Sequence, residues 1–387
     1  MAYYWRVDEL CGAGPNTIAI TGDVWMFQTV GTIPFIEETT PADVLVDAGD
    51  DAVLTVIAFN PFTSSAYDLS FQWYKVGTPD DEMLSDGADY SGSQTASLTV
   101  LDAQIADNDE GWYYCVATNT SGNTDSNISR SAMLSIKKML AHWPLDSNAN
   151  DATGNSFDGT LIGEPVFVDG LMGQAMEFDS LDDYIDLPDG FDYFASGLTF
   201  SLWAKPTALR DWARFFDFGN GPNEDNIAFS RIGTSGRVRF AIYDGDIGYT
   251  LNVPGVIYQD EWRMFTVTLD NQGNAALYKN GMLLETETLA IPNVVTRVNN
   301  FIGRSNWEAD ALYKGLMDEI RLYNYALEPL EVVGLYLEVK EDETVCMSYP
   351  ELDIAGPDGE SDCVVGLFDF ALMASEWMKC NIVGDCI

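Results

Sequence analysis

The segment Gly315–Tyr336, GLMDEIRLYNYALEPLEVVGLY, decides the fold expected for the second half of the chain. Its first part alternates between two sets of residues, which predicts a β-strand. One face would hold Met317, Glu319, Arg321 and Tyr323, and the other would hold Leu316, Asp318, Ile320 and Leu322. A helical turn is expected next, with Leu327, Leu330 and Val333 at helical spacing. Because Asp318 shares the apolar face, its carboxylate needs a cation or donors, without which its burial costs several kcal/mol.

The length and charge of the chain limit its partners. Its 387 residues correspond to about two to four domains. The 61 acidic and 19 basic residues give a formal charge of −42, which argues against nucleic acid or anionic membrane as a partner. No apolar run reaches the length of a membrane-spanning helix, about 18 residues, so we expect no membrane insertion. The N-terminus has no signal-peptide pattern, but we expect the chain to begin inside a longer secreted or cell-surface protein.

Residues 33–136 contain short alternating runs separated by turn residues, which are typical of an all-β sandwich, whereas residues 1–30 hold two strand-like runs. Within 1–32, YYWRVDE and GDVWMFQT resemble the last two strands of a fibronectin type III domain, which implies a remnant of one. Within 33–137, Trp73 in FQWYK and the later DEGWYYC resemble an immunoglobulin-like domain, with Tyr113 at its tyrosine corner. Val56 stands where that fold places the partner of Cys115, so we expect Cys115 to be a buried free thiol.

Residues 138–339 carry many strand-like segments and almost no helical pattern, which predicts a large two-sheet antiparallel sandwich. The clearest strands are expected at 197–205, 213–218, 227–232, 238–243, 262–269 and 275–284, the last containing a hairpin signal at Asn280-Gly281. The ordered motifs resemble the laminin-G-like, concanavalin-A-like jelly roll: AHWPLD, FDSLDDYIDLP, LTFSLWAKP, EWRMFTVTLD, ALYKNGMLL, FIGRS and GLMDEIRLYNYAL. The expected fold class is all-β and multidomain, an immunoglobulin-like sandwich plus a concanavalin-A-like jelly roll, with a small C-terminal helical segment.

That C-terminal segment, residues 340–387, resembles a single dockerin calcium-binding repeat. In DGESDCVVGLFD, oxygen ligands for calcium are expected from Asp358, Glu360, Asp362, the carbonyl of Val364, and Asp369. The segment departs from the dockerin pattern in two ways: Cys363 replaces the usual glycine, and one repeat is found where dockerins have two. Calcium is the expected ligand, and a cohesin-like or other surface protein is the expected partner. The disulfide candidates are Cys346, Cys363, Cys380 and Cys386, for which three pairings are open.

A second calcium site is expected in the jelly roll. Asp146 and Asp151 flank the loop LDSNANDATGN, and Asp318 returns on the closing strand. Together with loop carbonyls they would supply the hard oxygen ligands that calcium prefers, and the laminin-G-like resemblance implies such a site. The alternative is that Asp146 and Asp151 only cap turns through their own backbone.

Catalysis is not expected. Glucanases of this fold carry the alternating pattern E-x-D-x-x-E on one strand, which residues 138–337 lack. The single histidine, His142, is expected to pack beside Trp143, and no G-x-S-x-G motif accompanies it. Asp318 and Glu319 are expected on opposite faces of their strand, so they would not form a catalytic pair.

A binding function for a polysaccharide or other glycan is the leading hypothesis, because sugar rings stack on exposed aromatic groups and their hydroxyls bond to polar side chains. Candidate ligand-binding residues are Trp212, Arg231, Arg304, Asn306, Trp307 and Tyr313. Trp307 could instead cover the edge of the sandwich. Two alternatives stay open for the chain: a structural or spacer protein that binds other proteins, and a part of a larger glycoside hydrolase.

Overall fold

The computed structural model describes residues 33–61, 68–120, 125–343, 345 and 370–372, and the backbone of four strands within 1–32. The predicted dockerin-like site and all four cysteines of the C-terminal segment therefore lie outside the described residues. The chain divides into two compact units, Met1–Lys137 (unit 1) and Lys138–Ile387 (unit 2). Among the described residues, no helix is long and apolar enough to cross a membrane.

Unit 1 is built from short strands. They are β1 (Ala2–Arg6), β2 (Glu9–Cys11), β3 (Ile18–Ile20), β4 (Val24–Gln28), β5 (Phe35–Ile36), β6 (Val44–Val46), β7 (Ala52–Thr55), β8 (Ala58–Phe59), β9 (Leu69–Lys75), β10 (Glu82–Met83), β11 (Tyr90–Ser91), β12 (Ser97–Val100), β13 (Gly111–Asn119), β14 (Ser126–Ile128) and β15 (Ala132–Ile136). β1 pairs with β4, and β2 pairs with β3.

Two sheets enclose the core of unit 1. One has the order β10-β9-β13-β15-β6, with β14 added to β13, and the other has the order β11-β12-β7. Trp73, Val56 and Cys115 are buried together between them, and Cys115 is a free thiol, as predicted. The Tyr113 hydroxyl donates a 2.7 Å hydrogen bond to the carbonyl oxygen of Asp109, four residues upstream. The immunoglobulin-like and fibronectin-type assignments themselves stay predictions.

Unit 2 contains longer strands and one helix. They are β16 (Met139–Trp143), β17 (Thr160–Ile162), β18 (Val166–Asp169), β19 (Gln174–Asp179), β20 (Tyr184–Leu187), β21 (Gly197–Pro206), β22 (Arg214–Gly219), β23 (Ile227–Arg231), β24 (Val238–Asp244), β25 (Ile247–Val253), β26 (Arg263–Asp270), β27 (Asn274–Lys279), β28 (Met282–Thr288), β29 (Asn299–Ile302), β30 (Lys314–Tyr323) and α1 (Pro329–Val339). The strands expected in this part of the sequence are found within a few residues of their predicted ends, and Asn280-Gly281 joins β27 to β28.

Two large antiparallel sheets form the sandwich of unit 2. The eight-stranded sheet has the order β18-β19-β30-β21-β26-β27-β28, with β16 added to β30. The seven-stranded sheet has the order β17-β20-β29-β22-β23-β24-β25. Side chains from the inner face of each sheet, such as Phe200, Val267, Phe229 and Phe240, share one apolar core. Each sheet therefore has an outer face, which points away from this core.

The side chains of β30 lie on different faces from those predicted, because the strand contains an irregularity. Its pairing with β21 shifts near Glu319, whose φ of 48° lies in the left-handed region. Such a bulge inserts an extra residue and changes which side chains share a face. Met317 consequently joins Ile320 in the apolar core, whereas Asp318 lies opposite Trp203 on the outer face. Glu319 also lies beside Trp203, so the prediction that Asp318 and Glu319 point to opposite faces was wrong.

Helix α1 covers the outer face of the eight-stranded sheet. Its Val332 and Tyr336 are buried against Trp203, Met264 and Tyr278 of that sheet. The Tyr336 and Trp203 rings stack with a centroid distance of 5.4 Å. Leu330, which was expected on the packed side of this helix, is 73% exposed. Its place is taken by Val332, because the helix starts at Pro329 and presents Val332, Val333 and Tyr336 to the sheet.

Candidate functional site

A groove of about 210 Å³ lies on the outer face of the seven-stranded sheet. Its floor is made of three small residues, Ala228, Ser230 and Ala241, on the neighbouring strands β23 and β24. Alternation places them opposite the core residues Phe229 and Phe240. Larger side chains form the walls, and the full lining is Trp212, Arg214, Ala228, Ser230, Arg239, Ala241, Tyr243, Trp307 and Asp310. We call this concavity the groove.

Two half-buried tryptophans stand at the groove. Trp212 precedes β22, and its ring lies 5.1 Å from the guanidinium carbon of Arg239. Trp307 lies in the loop between β29 and β30, and its ring lies 5.1 Å from the guanidinium carbon of Arg214. The Tyr243 ring is 5.6 Å from that of Trp307. The structure thus brings together the two tryptophans that the sequence singled out, although they are 95 positions apart in the sequence.

A buried carboxylate holds the loops that carry these tryptophans. Asp217 on β22 is fully buried and accepts a hydrogen bond from Nε of Arg214 at 3.2 Å. It also accepts bonds from the backbone N–H and the side-chain amide of Asn306, at 3.1 and 3.0 Å. Arg214 in turn donates to the carbonyl oxygen of Trp212 at 2.8 Å. One carboxylate therefore connects both tryptophan-bearing loops to the sheet.

Some of the polar groups that line the groove form hydrogen bonds or ion pairs with other residues of the protein. Nη2 of Arg214 lies 2.9 Å from a carboxylate oxygen of Asp310, and the Ser305 hydroxyl donates to the same oxygen at 2.8 Å. Burial raises the pKa of Asp310, an effect that Arg214 opposes. Nε of Arg239 donates to the side-chain oxygen of Asn252 at 2.9 Å, and burial lowers the pKa of this guanidinium. The groove therefore offers hydrogen-bond donors and acceptors between aromatic walls.

Four other predicted ligand-binding residues do not line the groove. Arg231 and Tyr313 are about 1% exposed, so the prediction that they bind a ligand is corrected: Arg231 donates to the carbonyls of Arg210 and Ser235, and Tyr313 packs in the core. The side-chain amide of Asn306 is bound to Asp217 and to the carbonyl of Asn299, so this residue positions the loop. Arg304 lies over the rings of Tyr184 and Phe301, at 4.6 Å from each.

Sequence reasoning missed Arg214, Asp217, Arg239 and Tyr243. A signal was present in RVRFAIYD, where Arg239, Ala241 and Tyr243 alternate with apolar residues. Asp217 in RFFDFG was a carboxylate within an apolar strand, the same kind of signal that drew attention to Asp318.

The carboxylates predicted to bind calcium in the jelly roll have separate partners. Asp151 accepts hydrogen bonds from the backbone N–H groups of His142 and Thr153, at 3.0 and 2.9 Å, and from the Thr153 hydroxyl. These bonds match the turn-capping alternative for Asp151. Burial acts to raise the pKa of Asp151, but the hydrogen bonds outweigh burial and bring the pKa below its usual value. An oxygen of Asp146 accepts from the N–H of Gln174 at 2.6 Å. Within the described residues, Asp146, Asp151 and Asp318 are not among the carboxylate groups close enough to share an ion.

Asp318 nevertheless keeps one free ligand atom. Its Oδ2 accepts hydrogen bonds from the N–H groups of Leu171 and Met172, at 2.7 and 3.3 Å. Its Oδ1 is buried without a hydrogen-bond partner in the described part of the chain. Burial raises the pKa of this carboxyl to about 6. Asp318 thus fits a cation ligand, whereas Asp151 does not, and calcium binding stays a prediction.

His142 belongs to a charged cluster beneath α1. Its Nε2 is 2.9 Å from an oxygen of Glu319, which also lies 2.8 Å from Nη2 of Arg321. Arg321 reaches on to Glu338 of α1. Burial acts to raise the pKa of Glu319, but the bonds and charges of His142 and Arg321 bring it below its usual value. The cluster joins β16, β30 and α1, in keeping with a structural role for His142.

Comparison with known families finds one match within unit 2. Residues 178–333 match the family model of the concanavalin A-like lectin/glucanases superfamily. The jelly-roll resemblance found in the motifs is confirmed over that range. No curated protein matches the sequence.

Several solved structures are similar to about half of the chain. Domain 4 of AbnA, a GH43 extracellular arabinanase from Geobacillus stearothermophilus solved with arabinotriose, is 28% identical over 52% of this chain and 98% of its own, with a TM-score of 0.45. The binding domain of botulinum neurotoxin serotype G is 17% identical over 52% of this chain and 51% of its own, with a TM-score of 0.42. The binding domain of Paraclostridial Mosquitocidal Protein 1 is 16% identical over 52% of each chain, with a TM-score of 0.40. The chain thus spans about half the length of the two toxin domains.

Proposed function

We propose that the groove binds a glycan and that unit 2 is a non-catalytic carbohydrate-binding module of a secreted or cell-surface protein. The observation that carries this proposal is the pair of half-buried rings, Trp212 and Trp307, beside a floor of small residues. Sugar rings present apolar C–H faces that pack on aromatic rings, while their hydroxyls need donors and acceptors nearby. The match to a superfamily that includes lectins supports the same class.

The size of the groove suits a small part of a glycan. Its volume of about 210 Å³ is below the ~300–1,000 Å³ typical of sites that enclose a whole drug-sized ligand. We therefore expect it to hold about one sugar ring, with the rest of the chain running over the surface. Ser230 on the floor, Asp310 and Arg239 can bond to hydroxyl groups of that ring.

The arrangement of carboxylates supports binding rather than hydrolysis. Glycoside hydrolysis uses two carboxyl groups on either side of the scissile bond, about 5–10 Å apart. Asp310 is the carboxylate among the described lining residues, and it is paired with Arg214 at 2.9 Å. Asp217 lies behind Arg214 and is fully buried, so it does not face a substrate.

A glycan array probed with the full chain and with Trp307→Ala tests the proposal. We expect reproducible binding that weakens at least tenfold in Trp307→Ala, which corresponds to about 1.4 kcal/mol. Tyr258→Ala is the matched control, because Tyr258 is a half-exposed aromatic residue of the same unit outside the groove lining. Binding that survives in Trp307→Ala would contradict the proposed site. The absence of binding to any glycan would favour the protein-interaction alternative, and release of sugar from a polysaccharide would favour the hydrolase alternative.

A further inference from the structure

Arg239 is placed in the middle of the groove by the register of the sheet. It lies opposite Ser230 on β23 and opposite Asn252 on β25, and Ser230 lies opposite Arg214 on β22. Paired residues on neighbouring strands point to the same side of a sheet. Arg214, Ser230, Arg239 and Asn252 therefore form one row across the outer face, with Arg239 between the small floor residues and the Trp212 ring.

The terminal amino groups of Arg239 are available to a ligand. Its Nε donates to the side-chain oxygen of Asn252, and its guanidinium carbon lies 5.1 Å from the Trp212 ring. These two contacts fix the direction of the side chain. Within the described residues, Nη1 and Nη2 make no hydrogen bond and Arg239 forms no ion pair. Burial is the main cause that lowers the pKa of Arg239, and the guanidinium groups of Arg214 and Arg237 lower it further.

Arg239 differs from the other described arginines without an ion pair in what surrounds it: Arg231 and Arg297 are held by backbone carbonyls, whereas the terminal amino groups of Arg239 face the groove. Carboxylates are plentiful in the chain, with 61 acidic residues against 19 basic ones, yet no carboxylate is among the groups that act on the pKa of Arg239. Arg214 in the same groove binds both Asp217 and Asp310, and Arg321 on the other sheet binds Glu319 and Glu338. Arg239 instead presents an uncompensated positive charge in a concavity between aromatic walls. A guanidinium with two free parallel donors fits a carboxylate or a sulfate, which accepts both bonds at once.

We propose that the groove selects an anionic glycan, whose carboxylate or sulfate ester group is bound by Nη1 and Nη2 of Arg239. This inference rests on the proposed glycan-binding function and names its substrate class. In this arrangement a ring of the glycan packs against the tryptophans, and its charged substituent lies over the floor towards β24. The remaining formal charge of the chain is strongly negative, so a polyanion would not adsorb to its surface without such a site.

Matched pairs of oligosaccharides test this inference by isothermal titration calorimetry on the full chain. The carboxylate pair is oligogalacturonate and its methyl ester, and the sulfate pair is a sulfated galactan oligosaccharide and its desulfated form. We expect the wild-type chain to bind the charged member of at least one pair about tenfold more tightly than the neutral member. The pair that shows this preference identifies the anionic group.

Three variants assign the preference to Arg239. Arg239→Gln is expected to bind the charged and the neutral member equally, and Arg239→Lys is expected to keep only part of the preference because it lacks the paired donors. Arg237→Gln, an exposed arginine next to the groove but not in its lining, is expected to keep the full preference. Thermal unfolding of each variant checks that the fold is intact.

The outcomes separate this inference from the function on which it rests. Equal wild-type affinity for both members of each pair, or a preference unchanged in Arg239→Gln, overturns the inference but leaves glycan binding in place if Trp307→Ala still weakens it at least tenfold. Failure of the wild-type chain to bind any member, together with no binding on the glycan array, overturns both.

Discussion

The two sheets of unit 2 differ in what lies on their outer faces. On the eight-stranded sheet, Trp203 and Met264 are covered by α1 and are almost inaccessible to solvent. On the seven-stranded sheet, the described residues leave Trp212 and Trp307 half exposed beside small residues. Large aromatic side chains are used for packing on one face and stand at a concavity on the other. The same sandwich thus separates a stabilising face from a face suited to binding.

The polar groups of the two faces differ in the same way. On the covered face, the charges of Glu319, Arg321 and Glu338 are paired within the unit, and Asp318 is buried under the turn at Leu171. On the open face, Asp217 supports the loops from behind, while Arg239 keeps two donors free. We infer that changes on the covered face alter stability, whereas changes on the open face alter binding.

The largest effect is expected from truncating the covered face. Trp203→Ala removes a 2% exposed ring that stacks on Tyr336. Replacing a buried tryptophan by alanine costs about 3–5 kcal/mol through lost transfer energy and the cavity that remains. Denaturant unfolding of the full chain measures this loss. Leu330→Ala on the same helix is the control and should change the free energy of unfolding by less than about 0.5 kcal/mol, because Leu330 is mostly exposed.

A smaller effect is expected from the titration of Asp318 on the covered face. Burial raises the pKa of its carboxyl from 3.8 to about 6, so the folded state prefers the protonated form. The stability contributed by this group is fully present below pH 3.8 and is lost as the pH rises through about 6. The loss is at most about 3 kcal/mol. In a chelating buffer, Asp318→Asn should therefore gain stability relative to the wild type between about pH 4 and pH 7.

The same two proteins, wild type and Asp318→Asn, can be compared with calcium in place of the chelator. If Asp318 uses its free oxygen as a calcium ligand, added calcium should raise the wild-type unfolding temperature at neutral pH and should not raise that of Asp318→Asn. An equal response of both proteins would contradict the predicted jelly-roll calcium site. An unchanged pH dependence in Asp318→Asn would contradict the titration of Asp318 itself.

The smallest effect is expected on the free energy of glycan binding, from a change in the carboxylate that supports the loops of the open face. Asp217→Asn keeps the shape of the side chain but removes the charge that holds Arg214 and the loop of Trp307. We expect glycan affinity to fall about tenfold, or about 1.4 kcal/mol, because the aromatic wall is less well positioned. Faster amide hydrogen exchange at 303–312 than in the wild type would accompany this loss. Unchanged exchange and affinity would show that Asp217 does not position the loop.

Much of the fold was predictable because strand alternation and turn residues are local signals. The strand predicted at 197–205 is found at Gly197–Pro206, and the one predicted at 227–232 is found at Ile227–Arg231. The bulge at Glu319 was not predictable from the alternating pattern. It depends on a left-handed backbone conformation within β30 and places Glu319 beside His142, 177 positions earlier in the chain.

The site was predictable only in part. Trp212 and Trp307 could be found because each is an aromatic residue among polar residues in an expected loop. Arg239 and Asp217 could not, because their roles depend on which strands are neighbours: β24 lies next to β23, and β22 lies between β23 and β29. Arg231 was misassigned because its charge suggested a surface position, whereas backbone carbonyls satisfy it in the interior.

Hydroxyl-radical footprinting of side chains, read by mass spectrometry, tests the central claim, that the open face binds the glycan, most directly. The full chain is oxidised with and without a saturating concentration of the oligosaccharide that binds most tightly in the calorimetric series. We predict that oxidation of Trp212 and Trp307 falls on binding, while oxidation of the exposed side of α1, at Leu330, does not change. Unchanged oxidation of both tryptophans in the saturated complex, or protection confined to α1 or to unit 1, would contradict this account.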